Sequence, residues 1–119
     1  MRRALLIALV VACGKPAAPS SRDALVAAWK QAGLQPGEFK PAPSPIGKDC
    51  QLGAVNNVDV MVCSFATDDE AKAAQNAALQ WVGDTTGAAQ AHGPLVIAVA
   101  DRKKADPSGK TINQILTAH

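Results

Sequence analysis

"CQLGAVNNVDVMVC", residues 50–63, decides the fold. Its centre is Asn56-Asn57, and asparagine tolerates the positive φ that both central positions of a type I′ turn require. A two-residue turn there places Val55 opposite Val58 and, stepping outward, Cys50 opposite Cys63. Counted from the hydrogen-bonded Val55/Val58 pair, the cysteines fall on a non-hydrogen-bonded pair. There Cα atoms approach to about 4.5 Å, within disulfide reach. The spacing predicts a hairpin closed by Cys50–Cys63. A metal pair has only His92 and His119 as further ligands, and a redox couple is usually written Cys-x-x-Cys. The closed loop is short, so the entropic gain is at most ~3 kcal/mol. On this hairpin Cys50, Leu52, Met61, Cys63 and Phe65 share one face, and Val55, Val58, Val60 and Val62 share the other. Both faces are apolar, and both are expected to be partly covered.

Elements of helical and extended pattern flank the hairpin. Ser20-Ser21-Arg22-Asp23 has the form of a capping box, and Leu25, Ala28, Trp29 and Ala32 follow at helical spacing before Gly33. A first helix is expected over 21–32. Four prolines between 36 and 45 exclude a helix or central strand, leaving Glu38-Phe39-Lys40 as a short edge strand with Phe39 pinning the segment to the core. Thr67-Asp68-Asp69-Glu70 is a second capping box. Ala71, Ala74, Ala78 and Trp81 form the stripe of a second helix that Gly83 ends. The two tryptophans read as core residues. Residues 83–93, "GDTTGAAQAHG", read as a long connection, with His92 a surface loop histidine. "PLVIAVAD", 94–101, reads as the central strand. Asp106-Pro107 suits an N-cap with Pro at N1, and Ile112, Ile115 and Leu116 give a third helix its stripe. The expected architecture is α+β: a small two-layer sandwich, three helices on a three- or four-stranded, mainly antiparallel sheet.

The chain has 119 residues, 48% of them apolar but only 3% aromatic, so alanine does most of the filling. Of twelve basic residues two are Arg2 and Arg3, and the remaining ten balance ten acidic residues. A neutral body argues against a nucleic-acid partner, which needs a basic face.

Met1-Arg2-Arg3 followed by apolar Ala4 to Ala12 has the form of a secretory signal. The apolar run is far shorter than the ~20 residues a membrane span needs. It ends in Val10-Val11-Ala12-Cys13, which resembles the lipobox of bacterial lipoproteins. The resemblance implies a signal peptide over 1–12 and a lipid (diacylglyceryl and palmitate-type acyl chains) on Cys13. It implies a lipid-anchored, periplasm-facing place in the cell envelope. Gly14 after the cysteine resembles lipoproteins sent to the outer rather than the inner membrane. Residues 13–20 form a Pro/Ala/Ser tether, and 21–119 one domain. Six tether residues, 15–20, reach at most about 20 Å, which keeps that domain near the bilayer.

"DPSGKT", 106–111, lacks the first glycine of a nucleotide-binding phosphate loop, because position 104 is Lys, and no nucleotide is expected. No nucleophile, base and acid are spaced for hydrolysis, and no cofactor or metal set is written. Arg102, Lys103 and Lys104 form the one run of three cations after residue 12, a candidate contact for an anionic surface. The expected role is non-catalytic: binding or support of another envelope protein or polymer. The alternative is a small periplasmic inhibitor of a secreted hydrolase.

Overall fold

The structure, a computed structural model, describes residues 21–118. The expected signal peptide, Cys13 and the expected tether, together with His119, lie outside the described residues. The elements are α1 (Arg22–Gln31), β1 (Lys40–Pro41), β2 (Asp49–Val55), β3 (Val58–Ser64), α2 (Asp68–Val82), β4 (Gly87–His92), β5 (Leu95–Ala100) and α3 (Lys110–Thr117). The strands form one antiparallel sheet in the order β1-β2-β3-β5-β4.

The hairpin has the expected register. Val55 pairs with Val58 and Cys50 with Cys63. Asn56 and Asn57 have φ of 51° and 69°, as a type I′ turn requires. The two sulfurs are bonded, with Cα atoms 4.0 Å apart. Asn56 also ties the turn to the segment after α1: its Oδ1 accepts from the Gln35 amide at 2.7 Å, and its own amide donates to the Gln35 carbonyl at 3.2 Å.

Both faces of the sheet are covered, so the expected two-layer sandwich is instead three layers. Val55, Val58, Val60 and Val62, with Leu95, Ile97 and Val99, pack against Leu25 and Trp29 of α1 and Ile112 and Ile115 of α3. Cys50, Met61 and Cys63, with Val96, Ala98 and Ala100, pack against Ala71, Ala78 and Val82 of α2. The large side chains of β5 face the two-helix layer. Its smaller ones face alanine-rich α2, where short side chains let the helix approach closely. Trp29 is fully buried and donates its indole N–H to the Ile115 carbonyl at 2.9 Å, which links α1 to α3. Phe39 is the expected pin. Its ring lies 5.9 Å from that of Trp29 and covers Gly53, where a Cβ would fall 2.7 Å from the ring.

The sheet has five strands rather than three or four. β1 is the edge strand expected near 38–40, displaced to Lys40–Pro41. The additional strand is β4, inside the segment read as a loop. Its Ala-Ala-Gln-Ala sequence has weak strand propensity, and its place is set by pairing with β5 through the Gly93-Pro94 turn. His92 is therefore a half-buried strand end rather than a surface loop residue. A Cβ on Gly87 would lie 1.9 Å from the Val99 carbonyl oxygen, so only glycine fits the start of this strand. β5 runs between β3 and β4 and is buried along its whole length, the interior strand its apolar run predicts. Because β3 is followed by α2 and β4 before β5 enters the gap, the three strands form a split βαβ unit.

The helix caps differ in detail. Ser21, not Ser20, caps α1, and Thr67 caps α2 as expected. α3 begins at Lys110, three residues after Pro107. Asp106 nonetheless caps it at a distance, its Oδ2 accepting from the Ile112 amide at 2.8 Å.

The disulfide pins a hairpin whose register the turn already sets, so its contribution should fall below the ~3 kcal/mol of an unconstrained loop. Reduction should add two hydrogens to the intact mass. Cys50→Ala and Cys63→Ala should lower the free energy of unfolding by similar amounts, and the double variant by little more than either. Denaturant titration of the three variants checks this, and additive losses would contradict it.

Candidate functional site

The chain leaves β5 through a loop built on two aspartates. Asp101 and Asp106 are the buried acidic residues, each 5% exposed. The Asp101 carboxylate accepts from the Ala105 amide at 2.7 Å and the Asp106 amide at 2.8 Å. Its own amide donates to the Thr86 carbonyl at 2.8 Å. Asp106 accepts from Ile112, as above, and its carbonyl accepts from Gly109 at 3.1 Å. A buried carboxylate is stable only with such partners, and these two satisfy main-chain amides that no strand or helix serves. The result is a tight loop in which Lys104 takes a left-handed conformation, φ 56°. Arg102, Lys103 and Lys104 are thus held by the two aspartates that flank them.

The structure brings the three predicted cations to one place but gives them different roles. The Arg102 guanidinium lies 4.6 Å from the centre of the half-buried Trp81 ring, donates to the Trp81 carbonyl at 2.8 Å and reaches Thr85 Oγ1 at 3.4 Å. It thereby stitches the loop to the end of α2, in cation–π geometry. Trp81, expected as a core residue, has one ring face serving this contact. Asp59 stands near both Arg102, at 3.8 Å, and Lys103, at 3.9 Å. These ion pairs are long and partly exposed, and each contributes little. They do offset part of the loop's positive charge. Lys104 is exposed beside a cleft of about 350 Å³, bordered by Asp84, Thr85, Thr86, Asp101, Arg102 and Lys104 among others. The hydroxyls of Thr85 and Thr86 come from the α2–β4 connection. Thr85 Oγ1 donates to the Val82 carbonyl, which fastens that connection to the helix end.

A second groove, of about 360 Å³, runs between α1 and the sheet beside Arg22, Lys30, Phe39 and Gln51. Arg22 is already engaged there: it bridges Asp49 at 2.8 Å and donates to the Asp49 carbonyl at 3.0 Å. Among the described residues, no three His, Cys, Asp or Glu side chains come together as a metal site, and no helix is long and apolar enough to cross a membrane. No protein-family model, curated protein or solved structure matches this chain.

The sequence pointed to the three cations but not to the aspartates that shape their loop. The available signal was the pair of acids at either end of "DRKKAD", read instead as a helix cap and a strand end. Asp101→Asn should expose how the loop is built. The amide keeps one acceptor, sets an N–H₂ against a main-chain N–H, and should cost ~1–3 kcal/mol. A lowered thermal midpoint checks this; an unchanged one would remove Asp101 from the scaffold. Because Arg102 is committed to Trp81, any contact with an anionic surface falls to Lys103 and Lys104. Weak, salt-sensitive binding of residues 20–119, which lack Cys13, to anionic vesicles should be lost in Lys103→Glu/Lys104→Glu without change in the circular dichroism spectrum. Co-sedimentation at two salt concentrations reads the effect.

Proposed function

We propose that this chain is a lipid-anchored cell-envelope protein that binds or supports another envelope component and catalyses no reaction of its own. The observation that carries this reading is the odd cysteine. Of the chain's three cysteines, Cys50 and Cys63 are joined to each other, which leaves the Cys13 thiol as the one available for acyl transfer. Cys13 also stands at the end of the Val10-Val11-Ala12-Cys13 motif. The disulfide is consistent with an exported chain, since such bonds persist in oxidising compartments. The chemistry of the cleft beside Arg102 and Lys104 supports a binding role. Its carboxylates accept from main-chain amides, and its arginine is engaged by an aromatic ring and a carbonyl. These are groups that hold a shape, and they leave Lys104 and Thr86 at the rim to meet a partner.

Attachment through Cys13 suits a protein that works in place. A single acyl chain binds membranes only reversibly, with K on the order of 10⁴ M⁻¹, whereas several chains hold. Metabolic labelling with a clickable fatty acid tests the proposal. Label should enter the wild-type chain, cleavage should occur before residue 13, and Cys13→Ser should abolish both. A mature chain with a free Cys13 thiol in the soluble fraction would overturn the anchor. Crosslinking and pull-down from membrane extract should then recover an envelope protein or polymer. Recovery of a secreted hydrolase whose activity the chain blocks would replace the supporting role with inhibition.

A further inference from the structure

The two edges of the sheet are guarded very differently. β1 is two residues long and carries Lys40 and Pro41, the short, charged, proline-bearing kind of edge that resists pairing. β4 is six residues long, Gly87-Ala-Ala-Gln-Ala-His92, with no Lys, Arg, Asp, Glu or Pro. Its inner edge is fully paired with β5. The Asp101 amide bond to the Thr86 carbonyl sets the alternation: residues 86, 88, 90 and 92 bond inward, and Ala89 and Ala91 turn N–H and C=O outward. The Ala91 amide confirms this, because it donates at 3.0 Å to Gln75 Oε1, which reaches over the edge from α2. One turn further along the same flank of α2 is Leu79, one of two large apolar side chains that remain exposed among the described residues, at 47%.

We propose that the β4 edge is a homodimer interface: two copies of this chain pair β4 to β4 in antiparallel register about a twofold axis at Ala89. Ala89 then exchanges two hydrogen bonds with the second copy's Ala89, and Gly87 of each copy stands opposite Ala91 of the other. The edge is self-complementary because the strand residues it brings together on the α2 face, Gly87, Ala89 and Ala91, are small and uncharged. The axis is normal to the sheet, so both α2 helices lie on the same face of the extended sheet, flank to flank. Leu79 lies about 6 Å along α2 from Gln75, and Ala89 about 6.6 Å along β4 from Ala91. Leu79 is therefore level with the axis, where it meets its own copy. The same displacement carries Lys72, exposed on that flank, toward the second copy's Asp84, also exposed. Opposite charges thus meet away from the axis while apolar groups meet on it. Gln75 acts as a partial cover: while it holds the Ala91 amide, that donor is withheld from the second copy. Main-chain pairing of this kind is strand addition, in which the edge gives affinity and the flanking side chains give specificity.

Sedimentation equilibrium of the full chain in a density-matched detergent tests this. The wild type should show a reversible monomer–dimer equilibrium. Ala89→Pro removes the donor on the axis at a position whose N–H faces outward, where an edge strand tolerates proline. It should weaken association about tenfold or more. Leu79→Lys, at an exposed position, should weaken it by like-charge contact while leaving the thermal midpoint unchanged at concentrations where the chain is monomeric. Gln75→Ala should tighten it about fivefold by releasing the Ala91 amide. A wild-type chain that stays monomeric at its solubility limit would overturn the proposal. So would a dimer indifferent to both Leu79→Lys and Gln75→Ala.

Discussion

Most side chains of two neighbouring strands, β3 and β5, are buried, and every residue of β5 is. A strand covered on both faces cannot be stable until two layers of helix are present, because either layer alone leaves a row of valine, leucine or alanine in water. That requirement organises the rest. It calls for α1 and α3 on one face and α2 on the other. It also explains the inequality of the two cores. The face that meets two helices carries the bulky residues around Trp29. The face that meets one carries Ala98 and Ala100 opposite Ala71 and Ala78, and adds a disulfide within the layer. A chain with four aromatic residues compensates for small buried area on the α2 side with close approach and a covalent link.

The elements legible from sequence were those whose signals are local. Asn56-Asn57 and the two cysteines carried the hairpin and its register, because turn chemistry and period-two spacing act over fourteen residues. The capping boxes and the alanine stripe carried α1 and α2. What was not legible depends on neighbours distant in sequence. Ala88 to Ala91 reads as loop, and becomes a strand only because β5 offers it an edge and α2 a cover. The number of layers was hidden for the same reason: the hairpin's two apolar faces announced that both are covered, but not which helix goes to which side. Asp106 shows the intermediate case. Its capping chemistry was readable, but not the three-residue turn over which it acts.

The candidate site divides in the same way. Arg102, Lys103 and Lys104 were visible as a run of charge, but charge in sequence does not say what a charge is for. Arg102 faces Trp81, a residue 21 positions earlier, and its effect is structural as much as electrostatic. The two lysines remain at the surface. The loop's shape comes from Asp101 and Asp106, whose carboxylates do for it what a hydrogen-bonded ladder does for a strand.

The two tryptophans give the molecule a built-in pair of optical reporters. Trp29 lies in the α1/α3 core, sealed from water, and Trp81 lies in the α2 layer beneath a guanidinium. Tyrosine is absent, so nothing else in the chain absorbs strongly at the red edge of the indole band. The emission of a sealed indole is blue-shifted, and that of one beside a solvated cation is not. Each layer of the sandwich therefore has its own colour. Loss of one helical layer before the other would appear as two separate changes in a single emission spectrum, and a fully cooperative collapse as one.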